Sequence, residues 1–214
     1  MSAERRHGLW HLLSRAGVYD TLQAVLGAEK WRRALIEDHA KPLAGERILD
    51  LGCGTGALRR YVRQADYLGI DRNPDYIAAA SERYPPASDW MAADVADLAA
   101  IETGRFDVVV GAGLLHHLDD TVSQDMIRTA ASLLKPGGRL AMLDPVFIEG
   151  QHPIARRLAE LDRGCHVRRP DEYKALLSPV FQSVEIVIRD DLLNLPYNHA
   201  ISIGRRPNQD GHGA

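Results

Sequence analysis

Residues Ile48 to Leu58 read ILDLGCGTGAL, an apolar run that breaks into three alternate glycines before an apparent helix. Glycine belongs where a backbone must turn tightly and let a ligand touch it, because a Cβ would block that approach. Gly52, Gly54 and Gly56 therefore read as a nucleotide-cofactor loop between a strand and a helix. The next apolar run, YLGID, ends in Asp71, about 20 residues on, where an acidic side chain can hydrogen-bond both ribose hydroxyls. The alternative reading of Asp71 is a helix cap ahead of Pro74. The Gly-x-Gly-x-Gly spacing lacks the third glycine of the dinucleotide fingerprint, which argues against an NAD-linked oxidoreductase.

Outward from this loop, short apolar runs alternate with helical segments. RILDLG, YLGID, DWMAAD, FDVVVGAG and RLAMLD are the strands, and strands separated by helices imply βαβ units and a parallel sheet. Lys135-Pro136-Gly137-Gly138 is a turn signal just ahead of RLAML. SVEIVIR and AISIG follow two further helical segments and suggest an antiparallel pair at the sheet's end. Before the core, apolar positions at helical spacing (Leu9, Leu12, Leu13, then Leu22, Val25, Leu26, then Trp31, Leu35, Ile36) predict two or three amphipathic helices. The expected organisation is one domain: an N-terminal helical cap over 1–44, a cofactor-binding core over 45–145, substrate-side helices and the last strand pair over 146–204, and a polar tail over 205–214.

Bulk properties narrow the function classes. With 214 residues, 45% hydrophobic and 26% charged, the chain can bury a sizeable core. A formal net charge of −3 gives no electrostatic footprint for nucleic acid. Cys53 and Cys165 lie far apart and match no metal or redox spacing, so no metal is expected, and this usage suits a reducing cytoplasm. The N-terminal apolar run is too short and interrupted for a signal segment, and no stretch approaches the roughly 18 apolar residues of a membrane span. A cytoplasmic location is expected.

Taken in order, ILDLGCGTGAL, YLGID, MAADVADL, FDVVVGAGLLHHL and LLKPGGRLAMLD resemble the class I S-adenosylmethionine (SAM)-dependent methyltransferases motif by motif, over Arg47 to Asp144. The resemblance implies a Rossmann-like α/β fold, a mostly parallel seven-stranded sheet with an antiparallel final strand and helices on both faces. It also implies SAM as cofactor and S-adenosylhomocysteine as product. Asp50 and the loop Gly52, Cys53, Gly54, Thr55 and Gly56 would then hold the methionine end, and Asp71, with Arg72 beside it, the ribose. Asp94 and the Val95 amide would face the adenine, and Ala112 and Gly113 would offer backbone groups. Cys53 also reads simply as a small apolar side chain, and Asp94 as a helix cap.

Methyl transfer from an activated sulfonium needs positioning and exclusion of water, and a base only where the acceptor must lose a proton. Such groups belong at the carboxyl ends of strands. His116 and His117 follow the fourth strand. The resemblance places His116 nearer the transfer site, and an imidazole there can act as general base. Asp144 ends the fifth strand and can bind a polar acceptor. Tyr19, Arg163 and Tyr197 are further acceptor-side candidates, the last two from a charged cluster (Asp162 to Arg169) and a polar-aromatic loop (Pro196 to His199). The segment GAGLLHH lacks the Asn-Pro-Pro-Tyr or Asp-Pro-Pro-Tyr motif of relatives that methylate exocyclic or amide nitrogens. The expected activity is methyl transfer to a small molecule such as a natural product, sugar or lipid-linked compound. A SAM-dependent cyclisation or rearrangement, or a non-catalytic SAM-binding partner protein, are the alternatives.

Overall fold

The computed structural model describes residues 27–84, 89–94, 98, 103–162 and 164–207. The expectations that fall on Tyr19, Val95, Arg163, the first helices and the extreme C-terminus lie outside these residues.

Seven strands form one sheet: β1 (Arg47–Leu51), β2 (Asp66–Asp71), β3 (Asp89–Ala92), β4 (Phe106–Ala112), β5 (Leu134–Pro145), β6 (Ser183–Arg189) and β7 (His199–Arg205). Their order is β3-β2-β1-β4-β5-β7-β6, parallel from β3 through β5, with β7 antiparallel to both its neighbours. The order reverses between β1 and β4, and a parallel sheet opens a crevice at that switch point, outside the carboxyl ends of the strands.

Side chains alternate across β1, sending Leu49 and Leu51 to one face and Ile48 to the other. On the first face they meet helix α3 (Asp120–Leu133), through Met126, Ile127 and Ala130, and α5 (Pro170–Leu177), through Tyr173, Leu176 and Leu177. On the second face lie Leu58 and Val62, together with Leu35 and Ile36 from a π-helical stretch, Ala34–Ala40, that continues α1 (Ala28–Arg33). Leu35 and Ile36 are fully buried, so this last part of the N-terminal helical region is sheet-packing core. Its end is capped by Arg139, which donates to the carbonyls of Ala40 (2.5 Å) and Lys41 (2.6 Å) and pairs with Glu46 at 2.8 Å. A cation there complements the negative end of the helix dipole. The remaining helices are α2 (Pro74–Arg83), capped by the Asn73 side chain, and α4 (Pro153–Glu160). Among the described residues no helix is long and apolar enough to cross a membrane.

Two local expectations change. The glycine loop leads into a short 3-10 turn, Ala57–Tyr61, rather than a full helix. The Lys135-Pro136-Gly137-Gly138 turn lies inside β5, where pairing jumps from Phe106↔Leu134 to Val108↔Arg139 and four residues bulge out opposite one.

Two glycines make room for one indole on the second face. A Cβ on Gly69 would sit 2.5 Å from a ring carbon of Trp90, and one on Gly56 only 2.4 Å. Trp90 fills that slot and packs edge-on to Tyr67 with ring centroids 5.3 Å apart. Gly69→Ala is expected to cost about 1–3 kcal/mol through overpacking, read as a lowered urea midpoint. Combining it with Trp90→Phe should cost less than the sum of the two single changes, because the smaller ring vacates the clash.

Candidate active site

The loop after β1 turns through three left-handed glycines, Gly52 (φ 68°), Gly54 (φ 53°) and Gly56 (φ 75°). Their roles differ. Gly56 is buried against Trp90 and serves packing, whereas no heavy atom stands within 4 Å of a Cβ position on Gly54, so that backbone faces open space. Asp71 fixes the loop from the side. Its Oδ2 accepts from Gly54 N–H at 2.9 Å and its Oδ1 from Asn73 N–H at 2.8 Å. Each oxygen keeps a lone pair for a further donor. The end of β3 lies beside it, with Ala93 N–H donating to the Asp71 carbonyl at 3.0 Å, so Arg72 and Asp94, both exposed, flank the same rim. Ala112 and Gly113 end β4 across the crevice, Gly113 N–H donating to Leu143 O at 2.7 Å. Thr55 is turned inward, its hydroxyl 3.5 Å from the Arg83 guanidinium, and burial pushes the Cys53 thiol far above its usual range, leaving it inert.

A second cluster gathers at the carboxyl ends of β4 and β5. His116 is buried between two carboxylates: Nδ1 is 2.9 Å from Asp144 Oδ1, and Nε2 is 3.2 Å from Asp162 Oδ1. Burial alone would depress the imidazole, but the two carboxylates outweigh it and hold its pKa up at about 9. Asp162 itself is held down at about 2: burial works against ionisation, and the His116 contact overcomes it. As a free general base, the role expected for it, His116 has no lone pair to spare in this arrangement. Asp162 also accepts from Tyr197 Oη–H at 3.1 Å, and the His117 ring lies 4.1 Å from that of His116. Nearby His199 is pushed down to about 4 by burial and by the charge on His116.

The loop carrying these histidines is clamped from below. Arg168, buried, donates to the carbonyls of Leu115 (2.8 Å) and Leu118 (2.7 Å) and to Asp120 (2.9 Å). Gly164 rests on His116 so closely that a Cβ would fall 2.0 Å from the ring, and His166 N–H donates to His116 O at 3.0 Å. The charged run from Asp162 to Arg169 is therefore divided between an acid on His116 and a buried clamp. Beside it, a cleft of about 620 Å³ opens between the loops 148–155 and 190–198, lined by Ile148, Gln151, Leu193, Leu195, Pro196 and Tyr197.

A family model described as a methyltransferase domain matches residues 48–138. Over 161 residues the chain is 33% identical to the ubiquinone biosynthesis O-methyltransferase of Xanthomonas oryzae pv. oryzae, covering 69% of this chain and 65% of that relative. The phosphoethanolamine N-methyltransferase 2 of Haemonchus contortus, solved with phosphomonomethylethanolamine and S-adenosylhomocysteine, superposes with a TM-score of 0.75 at 14% identity, over 94% of this chain and 59% of that one. The 4+2 cyclase SpnF superposes with a TM-score of 0.65 at 20% identity, over 84% and 82%. The core of the chain, residues 48–138, belongs to the class I SAM-dependent methyltransferase family. The chain spans 65% of the length of the O-methyltransferase relative.

Within this methyltransferase fold, Asp50 at the end of β1 is 1% exposed and accepts a hydrogen bond from the Tyr67 hydroxyl. Its other oxygen, Oδ1, is buried with no hydrogen-bond partner among the described residues. Burial raises the carboxyl to about 7; the Tyr67 hydrogen bond opposes that rise and the charge of Asp71 adds to it. Tyr67 carried no functional signal in the sequence, although it stands two residues before Gly69 on β2, and Asp162 was visible only as one charge in a run.

The raised carboxyl fixes the sign of a pH effect. Between about pH 4 and pH 7 the folded chain keeps a proton on Asp50 that the unfolded chain has lost, so this residue's contribution to stability falls as pH rises through that window. The full effect is roughly 4 kcal/mol. Asp50→Asn cannot ionise. Its thermal midpoint without cofactor should exceed that of the parent chain clearly at pH 8 and by little at pH 4.5.

Proposed function

We propose that this chain binds SAM across the glycine loop and Asp71 and transfers the methyl group to a hydroxyl of a small, partly apolar acceptor held in the adjoining cleft, leaving S-adenosylhomocysteine. One observation carries the reading. The backbone at Gly54 faces open space beside a carboxylate whose geometry is already set by two backbone donors, at the switch point of a parallel sheet.

The residues fit that cofactor. Asp71 retains two acceptor positions suited to vicinal ribose hydroxyls. The buried, unmatched Oδ1 of Asp50 suits a cationic partner, which would draw the carboxyl into its ionised form. Arg72, Asp94, Ala112 and Gly113 edge the same crevice, and Val95 is assigned to it by resemblance. Bound there, the sulfonium supplies a methyl group already activated for in-line displacement. The remaining work falls to the chain: to orient the acceptor, keep water out and manage the hydroxyl proton.

For the acceptor, the support comes from two sides. The relatives are named for ubiquinone biosynthesis and for O-methylation. The cleft has the size of a small-molecule site, mixing apolar walls (Ile148, Leu193, Leu195) with the amide of Gln151 and the hydroxyl of Tyr197. A hydroxylated ring on an apolar tail suits both. Tyr197 and Asp144 belong to the acceptor side in this reading; Tyr19 and Arg163 are assigned there from the sequence alone. A cyclisation or rearrangement using the same cradle is the second reading. The observation favouring it is that His116 has no free nitrogen for a proton-abstraction step.

Incubation with methyl-labelled SAM and a panel of prenylated catechols is expected to give a product one methyl heavier, labelled on oxygen. Conversion of an acceptor without mass gain would favour the cyclisation reading. Asp71→Ala should weaken S-adenosylhomocysteine binding by about 1–3 kcal/mol, or 5- to 150-fold in calorimetric Kd. An unchanged constant removes Asp71 from the ribose.

A further inference from the structure

Among the described residues, His116, His117 and Asp162 each offer one ligand atom, and these atoms lie within 4.8 Å of one another. We propose that they form a binding site for a divalent transition-metal ion, with Asp144 and Tyr197 as its supporting residues, at the edge of the acceptor cleft.

The tightest distance has the right size. Ligand atoms each about 2.1 Å from a common ion, at an angle near 100°, stand about 3.2 Å apart. His116 Nε2 and Asp162 Oδ1 are separated by 3.2 Å, and an ion there takes the place of the proton they now share, which leaves to solvent. The third atom, from His117 beside His116 on the turn Leu115–His117, lies within 4.8 Å of both.

The surroundings are those a metal ligand needs. A ligating imidazole usually donates its other N–H to a carboxylate, which fixes the ring and raises its basicity. Asp144 does this for His116, at 2.9 Å from Nδ1 and 2% exposed. A ligating carboxylate is itself hydrogen-bonded. Asp162 accepts from Tyr197 Oη–H at 3.1 Å and from Gly164 N–H at 2.9 Å. Asp144 and Asp162 together balance the two charges of a divalent ion inside a half-buried site. Gly164 packs against the Cδ2 edge of His116, and Arg168 holds the loop in place.

Two imidazoles and one carboxylate select zinc, cobalt, manganese or iron(II) over magnesium or calcium, which prefer all-oxygen ligands. Three protein ligands leave at least one open position. Tyr197, which hydrogen-bonds Asp162, lines the cleft, so an ion held here borders the acceptor and could hold its hydroxyl oxygen as an anion without a free base. The acceptor role rests on the methyl-transfer reading; the binding itself does not.

The full chain, stripped with EDTA and dialysed, should take up one equivalent of Co²⁺ with visible d–d bands, and Zn²⁺ should displace it while Mg²⁺ does not. His117→Ala and Asp162→Asn should each weaken Co²⁺ binding by about 100-fold, and Tyr197→Phe, which removes only a supporting hydrogen bond, by about 10-fold. S-adenosylhomocysteine affinity should be unaltered in all three, which also reports that they fold. Absence of Co²⁺ uptake, or uptake that survives both ligand substitutions, overturns the site. If Co²⁺ binds as described but S-adenosylhomocysteine does not bind the parent chain, the methyl-transfer reading falls and the metal site stands. Full methyl transfer in excess EDTA overturns the acceptor role alone.

Discussion

The carboxylate of Asp71 accepts one backbone proton from the glycine loop and another from the turn that opens α2. Both turns need it. A loop of left-handed glycines has lost much of the local preference that would hold its shape, and glycine surrenders more conformational freedom on folding than any other residue. A charge-assisted hydrogen bond from a neighbouring strand is a strong way to restore it. Because Asp71 ends β2 and its backbone carbonyl accepts from Ala93 at the end of β3, the same residue also aligns the rim of three strands. The cradle at the switch point is thereby a product of sheet register rather than of the loop alone.

Two acids near this rim receive opposite treatment. Asp50 sits in an apolar layer with one hydroxyl donor and an ionised neighbour, and its proton is retained to about pH 7. Asp162 is also mostly covered, yet an imidazolium and a backbone amide hold it ionised to about pH 2. Burial acts in the same direction on both, so the partner decides the outcome. Asp50 is thus a carboxyl that only a cation makes comfortable, and Asp162 one already matched to positive charge.

Much of the glycine loop and its setting was legible in the chain because its signals are local. ILDLGCGTGAL announces a strand and a turn by itself, and Asp71 follows at a fixed step within one βαβ unit. The alternation of apolar runs led to the strands and to an antiparallel pair at the sheet's end, while the order of the strands and the pairing of β5 with β7 were not legible there. What escaped reading depends on contacts across long sequence intervals. His116 meets Asp162 across 46 positions, through a loop whose charges read equally well as a solvated face. Tyr67 meets Asp50 only because β1 and β2 pair with that register. The distinct duty of Gly56 was hidden as well, since only the placement of Trp90 separates it from Gly54.

The lacing of residues 162–168 onto the β4–α3 turn has a consequence for how this scaffold can be altered. A glycine without room for a methyl and a buried guanidinium on two carbonyls leave Gly164 and Arg168 almost no tolerance for change, and a backbone bond ties His166 to His116 between them. The walls of the cleft at 148–155 and 190–198 carry fewer such obligations. Anyone wishing to redirect this protein to another acceptor would vary those two loops, sparing Tyr197, and leave Gly164 and Arg168 untouched, treating them as the frame on which new pockets are hung.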